Sequence, residues 1–160
     1  MATAESKQGG ARVRIPPPLV FVASIGLGVA LHYGVTRLHA PFGRLAQLVL
    51  SAILALGAVG LVASAFGLFK RSGQDPAPWK PSPSLVLHGP YRFTRNPMYV
   101  GMSMLQASVG LALDDLWIVL LVALSLVVVH FTAVLPEEAY LDEKFGEPYR
   151  RYKATVRRYL

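Results

Sequence analysis

Between Leu85 and Tyr99 the chain reads Leu-Val-Leu-His-Gly-Pro-Tyr-Arg-Phe-Thr-Arg-Asn-Pro-Met-Tyr. Two arginines, a histidine and three aromatic rings thus gather just before an apolar segment that starts near Met98. A second polar cluster, Pro136-Glu137-Glu138, closes the last apolar segment of the chain. Charge at the mouth of a membrane segment is costly to keep without a polar ligand or partner, so the two clusters together read as a site.

Brought together, the clusters would offer three kinds of contact. Arg92 and Arg95 supply guanidinium forks suited to a carboxylate or phosphate. Tyr91, Phe93 and Tyr99 supply faces for a flat heterocycle or a cation. Glu137 and Glu138 supply negative charge for an ammonium, a sulfonium environment or ribose hydroxyls. A zwitterionic, aromatic and hydroxylated ligand such as S-adenosylmethionine has that profile. NADPH would also use arginines and aromatics, although two adjacent carboxylates would repel its phosphates.

Composition says what must hold these residues. The chain is 160 residues long, 53% hydrophobic and only 16% charged, which points to a membrane protein. It has no cysteine, so disulfides, thiolate metal sites and a cysteine nucleophile are excluded, and no metal site is expected. The net charge of +7 could suit nucleic acid. The charges instead flank apolar runs, as they do where helices are oriented in a bilayer, and no nucleic-acid partner is expected.

Four apolar segments are predicted as transmembrane helices: Pro18 to Val35, Leu45 to Phe69, Met98 to Leu113 and Leu116 to Leu135. The expected fold is an all-α membrane helix bundle with a Pro-rich cytoplasmic loop and a C-terminal amphipathic helix. Its parts are a disordered lead over 1–15 and two helices over 16–69. A cofactor-binding loop over 70–97, a helical hairpin over 98–135 and a C-terminal region over 136–160 follow. Basic residues precede the first apolar segment, but it is long for a signal peptide and is expected to be retained. All Lys and Arg except Arg37 and Arg44 then fall on one side, placing both termini in the cytoplasm.

Gly26, Ala30 and Gly34 on the first helix, and Gly57, Gly60, Ser64 and Gly67 on the second, form small-residue stripes predicted to pack. Asp114-Asp115 reads as the hairpin turn. Gln106 on the third helix should face the bundle interior. His130, Val134, Glu137 and Leu141 share one face of the fourth. Gln106 and His130 are candidate substrate contacts. His130 is also a conceivable base or, more simply, a packed histidine bonded to Gln106 or a carbonyl. Gly146 fits a helix C-cap and Pro148 the first turn of a last helix, Tyr149 to Tyr159, suited to an anionic membrane surface. The basic residues of that helix are expected to face lipid.

The stretch Leu85 to Gly101, followed after the hairpin by Glu137 to Tyr152, resembles the isoprenylcysteine carboxyl methyltransferase family and the related phospholipid methyltransferases. The likeness covers roughly residues 80 to 158. It implies an integral membrane enzyme that binds S-adenosylmethionine in a cytoplasmic pocket, with a lipophilic acceptor entering from the bilayer. By position, strand-like Pro83, Ser84, Leu85 and Val86, then Gly89, Tyr91, Arg95, Asn96, Pro97, Met98 and Tyr99 would contact the cofactor. Glu137 would hold its polar end, with Glu138 beside it, and Arg95 would brace the loop or meet the cofactor carboxylate.

Two departures bear on the acceptor. The family's Arg-His-Pro is Arg95-Asn96-Pro97 here, which removes a titratable histidine. The prenylcysteine branch carries an arginine one turn before the acidic pair, where this chain has Ala133. A lipid amine, a lipid hydroxyl or a small lipophilic acceptor is left open, as are the oligomeric state and any catalytic base. The rival readings are an NADPH-dependent sterol-type reductase, and a membrane scaffold without turnover.

Overall fold

The computed structural model describes residues 10–73, 75, 77 and 79–159. Among these residues six α-helices follow in order: α1 Pro17–Gly34, α2 Arg44–Arg71, α3 Pro97–Leu113, α4 Leu116–Val129, α5 Leu135–Phe145 and α6 Glu147–Thr155. A 3₁₀ turn, Gly89–Arg92, precedes α3, and a π turn, His130–Val134, joins α4 to α5. There is no strand among the described residues. The strand-like segment expected at Pro83 to Val86 is irregular, and one isolated bridge pairs Thr94 with Arg157.

Among the described residues three helices are long and apolar enough to cross a membrane: α1, α2 and the continuous helix Leu116–Phe145. Helix α3 has 17 residues, about 25 Å at 1.5 Å per residue, slightly less than a hydrocarbon core. It packs along α2 on one side and α4 on the other, while α1 lies along α4. Its buried face is therefore wide and includes Ser103, Gln106, Ser108 and Gly110.

Small residues do bring the helices close, but of the expected stripes only Gly57 takes part among the described residues, where a Cβ would lie 2.7 Å from Met104 Cε of α3. Gly26, Gly34, Gly60 and Gly67 have nothing near the place a Cβ would occupy, and Ala30 and Ser64 are exposed. The packing face of α1 is instead Phe21, Ser24, Gly28 and His32. A Cβ on Gly28 would lie 2.5 Å from Ile118 Cγ1, and one on Gly101 2.5 Å from Val62 Cγ2. Without a hydrophobic drive between helices in lipid, such close approach supplies the packing. Every i, i+4 stripe on an apolar helix looks alike in sequence, and the partner helix selects one.

The hairpin turn is fully capped. Asp114 takes a left-handed conformation after α3, and Asp115 accepts from the N–H groups of Trp117 and Ile118 as the N-cap of α4. Arg44 donates to the carbonyls of Leu111 and Ala112, placing a cation at the negative end of α3.

The π turn has a traceable cause. Pro136 has no N–H for the preceding turn, and its ring crowds the carbonyls there. The helix widens at His130–Val134, with Leu135 N–H donating to His130 O. The Thr132 carbonyl accepts from the backbone N–H of Arg14 at 3.2 Å instead. Residues 10–15 are consequently not the disordered lead expected for 1–15. Ala11 is 4% exposed and Val13 packs on the core formed by Phe21, Tyr99, Val129, Ala133 and Val134. Residues 1–9 of that lead lie outside the described residues, as do Pro76 and Pro78 of the Pro-rich loop.

Helix α6 stops at Thr155, short of the expected Tyr159, because Val156 is extended (φ −116°, ψ 132°). Residues 156–159 turn back towards the loop before α3. Arg95 N–H donates to Arg157 O, and Thr94 Oγ1 and Asn96 Nδ2 both donate to Arg158 O.

Candidate active site

The loop, the start of α3 and the start of α5 enclose a cavity of about 340 Å³. That is within the range of small-molecule sites, about 300–1,000 Å³. Phe66 and Phe69 at the end of α2, Met102 on α3, and Val134 and Leu141 after α4 make an apolar wall. Arg95, Tyr99, Glu137, Tyr149 and Tyr152 make a polar one, and Trp79 and Ser84 to Leu87 close it from the loop side.

Most residues singled out in the sequence meet here. Ser84, Leu85, Val86, Tyr91, Arg95, Asn96, Pro97, Met98, Tyr99, Glu137 and Glu138 all line the cavity. Pro83 and Gly89 do not. Gly89 has φ +58° and opens the 3₁₀ turn against Leu68 of α2, so its place is in the loop's backbone. The expected fold-back of the loop is anchored where Ser82 N–H donates to Tyr140 Oη at 3.1 Å.

The two candidate substrate contacts lie elsewhere. Gln106 is 1% exposed; its Nε2 donates to Ile118 O and its Oε1 accepts from Ser125 Oγ, both inside the α3–α4 interface. His130 shares a hydrogen bond with the Tyr159 hydroxyl at 2.9 Å, rather than with Gln106. Of the four residues read as one helical face, Val134, Glu137 and Leu141 reach the cavity and His130 does not. The wider π turn explains it, since four residues there no longer return to the same side.

Tyr99 donates to Glu137 Oε2 at 3.0 Å, tying the loop-proximal end of α3 to the segment after the last span. Among the described residues no Lys or Arg pairs with Glu137. Its neighbour is different. Glu138 accepts from Arg158 Nε at 2.8 Å and Nη2 at 2.9 Å, a two-pronged pair, while Arg95 Nη1 lies 3.1 Å from its Oε1. Arg158 was expected to face lipid; it folds inward because the extended turn after α6 carries it onto α5.

Arg95 is the unusual member of this group. Its side chain is 9% exposed, and although Nη1 lies 3.1 Å from Glu138 Oε1, neither Nε nor Nη1 makes a well-aligned hydrogen bond among the described residues. Buried polar groups are nearly always satisfied, so a guanidinium short of well-aligned partners beside a cavity is a natural counter-charge for an anionic ligand group. The phenols of Tyr149 and Tyr152 lie close enough to feel its charge, and Tyr91 is buried next to Tyr152. Burial pushes Tyr91 and Tyr152 well above the ordinary tyrosine range, and Tyr149 up to about 12 with the charge of Glu138 adding to the effect. All three are neutral donors at physiological pH, and Tyr152 uses its proton on Tyr91 O at 2.7 Å.

Tyr149 and Tyr152 were not singled out as site residues, although their spacing one turn apart after Pro148 is visible in the sequence. Phe66 and Phe69 carry no sequence signal beyond apolarity. Nothing local marks Arg158.

A family model for phospholipid methyltransferases matches residues 46–148, from the first turn of α2 to the start of α6. The chain belongs to that family. The match takes in both clusters and the hairpin between them, in agreement with the resemblance carried by Leu85–Gly101 and Glu137–Tyr152. An uncharacterized protein of Haemophilus influenzae is 46% identical over 39 residues, 24% of this chain and 62% of that relative. The chain thus matches under two thirds of that relative's length. Family and apolar helices together describe a membrane methyltransferase; α1, Tyr149, Tyr152 and Arg158 lie outside the matched span.

Proposed function

We propose that this protein binds S-adenosylmethionine in the cavity between the loop and α5 and methylates a lipophilic acceptor that enters from the bilayer. The observation that carries the reading is the Tyr99–Glu137 contact, which joins the two sequence clusters around one cavity that the buried Arg95 also lines. The donor set fits the cofactor: Arg95 for its carboxylate, Glu137 for its ammonium or ribose hydroxyls, and Tyr91 with Trp79 for its ring.

When bound, S-adenosylmethionine supplies an electrophilic methyl group on a sulfonium. The chain's own part is positioning and exclusion of water. Phe66, Phe69 and Met102 would hold the acceptor's apolar body, and an acceptor atom placed about 3 to 3.5 Å from the methyl carbon would need little further assistance. Catalytic acid–base residues are not assigned. Ala133 in place of an arginine argues against a carboxylate acceptor, leaving a lipid amine, a lipid hydroxyl or a small lipophilic molecule. The Lys and Arg distribution supports both termini in the cytoplasm, with the cavity opening on that side.

Calorimetry of the detergent-purified protein with S-adenosylhomocysteine and with NADPH tests the assignment. Saturable binding of the nucleoside thioether, lost in Glu137→Ala, is expected. Binding of NADPH alone would make the protein a reductase. Binding of neither would leave a scaffold that has kept the fold.

A further inference from the structure

We infer that Gly10 is a positioning residue for the cofactor's ring: the segment before α1 is anchored to the bundle as a strap, and at Gly10 it braces the backbone of Trp79 beside the cavity. The inference rests on the proposed cofactor reading, in which Trp79 meets the ring, and adds a residue far from both sequence clusters. The local cause begins with Pro16, Pro17 and Pro18. α1 starts at Pro17, and successive prolines bar the helix from continuing backwards, so residues 10–16 are not helical. Three contacts then fix their course. Ala11 is buried, Val13 packs on the core, and Arg14 N–H donates to the Thr132 carbonyl, which has Pro136 four residues on in place of a helix donor.

At Gly10 a Cβ would collide with the carbonyl carbon and oxygen of Trp79 and with the backbone nitrogen of Lys80. Glycine is what lets the two backbones touch there. On the loop side, Trp79 sits in a turn closed by Lys80 N–H on Ala77 O at 2.9 Å. The Asp75–Lys80 ion pair and the bond from Ala77 N–H to Asp75 Oδ1 tie the same turn. All of these bonds are local, so they shape the turn without fixing where it rests on the bundle. The Trp79 ring lines the cavity yet is half exposed, and no hydrogen bond or ring contact holds it among the described residues. Ser82 N–H on Tyr140 Oη anchors the loop only further along. The strap therefore supplies what the turn's own bonds do not, a backbone stop at Trp79 itself.

The experiment is a double-variant cycle read by calorimetry with S-adenosylhomocysteine. Trp79→Ala should lower affinity about tenfold, the scale of one lost base–aromatic stack. Gly10→Val pushes the turn away and should lower affinity about fivefold; the double variant should match Trp79→Ala within about twofold, because both changes remove one contact. Where Gly10→Val does not fold, the cycle is run with Val13→Ser, which loosens the strap without a collision and should act in the same direction. In a Trp117→Phe background Trp79 is the one remaining indole. There S-adenosylhomocysteine should quench its emission saturably, and Gly10→Val should shift the emission to the red and weaken the quenching. Wild-type affinity in the strap variant, losses that multiply in the double variant, or no effect of Trp79→Ala would overturn the inference. Failure of the wild type to bind S-adenosylhomocysteine would instead overturn the cofactor reading beneath it.

Discussion

The phenol of Tyr99 and the carboxylate of Glu137 lie 38 positions apart in the chain and meet at 3.0 Å. The contact spans the mouth of the bundle, between the first turn of α3 and the first turn of α5. It exists because α3 and α4 form an antiparallel hairpin whose two free ends return to the same side. Loop and carboxylate therefore face one cavity.

Removing either partner should separate binding from folding. Tyr99→Phe leaves a carboxylate without its donor, a loss of about 1–3 kcal/mol for a buried polar group. The expected outcome is an S-adenosylhomocysteine affinity lowered roughly tenfold, with a monodisperse protein whose melting temperature falls by only a few degrees. Melting curves and calorimetry on the same preparation check it. A drop in melting temperature without any change in affinity would show the pair to be structural alone.

The selected glycine on α1 can be told from its neighbours on the lipid side. Gly28→Ala places a methyl group against Ile118 and should destabilise by about 1–3 kcal/mol through overpacking. Gly26→Ala and Gly34→Ala meet nothing within 4 Å and should not destabilise the protein. Thermal unfolding in a single detergent ranks the three variants.

Restoring the arginine of the prenylcysteine branch should fail. Ala133 is 0% exposed and packs in the core with Phe21, Tyr99 and Val129. Ala133→Arg would bury a charge without a partner, costing several kcal/mol. The expected result is loss of folded protein on size-exclusion chromatography, with no gain of a carboxylate-bearing acceptor in a methyl-transfer assay.

Acid should weaken the turn at the far end of the bundle. The Ala40 N–H and the His39 ring both hold the Asp114 carboxyl below its ordinary value of 3.8. A group whose folded pKa is depressed adds stability above its unfolded pKa, and that contribution disappears as pH falls through the folded value. Asp114→Asn keeps the left-handed backbone and removes the titration. The melting-temperature gap between wild type and this variant should therefore begin to narrow below about 4 and close as pH falls through the depressed Asp114 value. A gap that stays constant to pH 3 would exclude this role.

Much of the site was legible because its chemistry is concentrated in two short runs. Arginines, tyrosines and prolines from Leu85 to Tyr99, and the acidic pair at Glu137, stand out against an apolar background, and the Asp114-Asp115 break implies the hairpin that brings them together. Less visible was anything that depends on the identity of a neighbour. Gly28 rather than Gly26 packs because Ile118 happens to oppose it. His130 leaves the shared face because Pro136 widens the turn before it. Arg158 turns inward because Val156 is extended.

The amino-acid order by itself determined the membrane-helical character, the sites of the four apolar segments and the residues bearing the chemistry. Those follow from composition and local sequence, since hydrophobic length and proline placement act on the backbone directly. Only the tertiary structure decided which small residues make contact, that Glu138 serves Arg158 and Arg95 while Glu137 bonds Tyr99, and that residues 156–159 return to hold the loop before α3. Such choices rest on contacts between segments distant in sequence, where a shift of one residue around a helix turns a side chain from lipid to core.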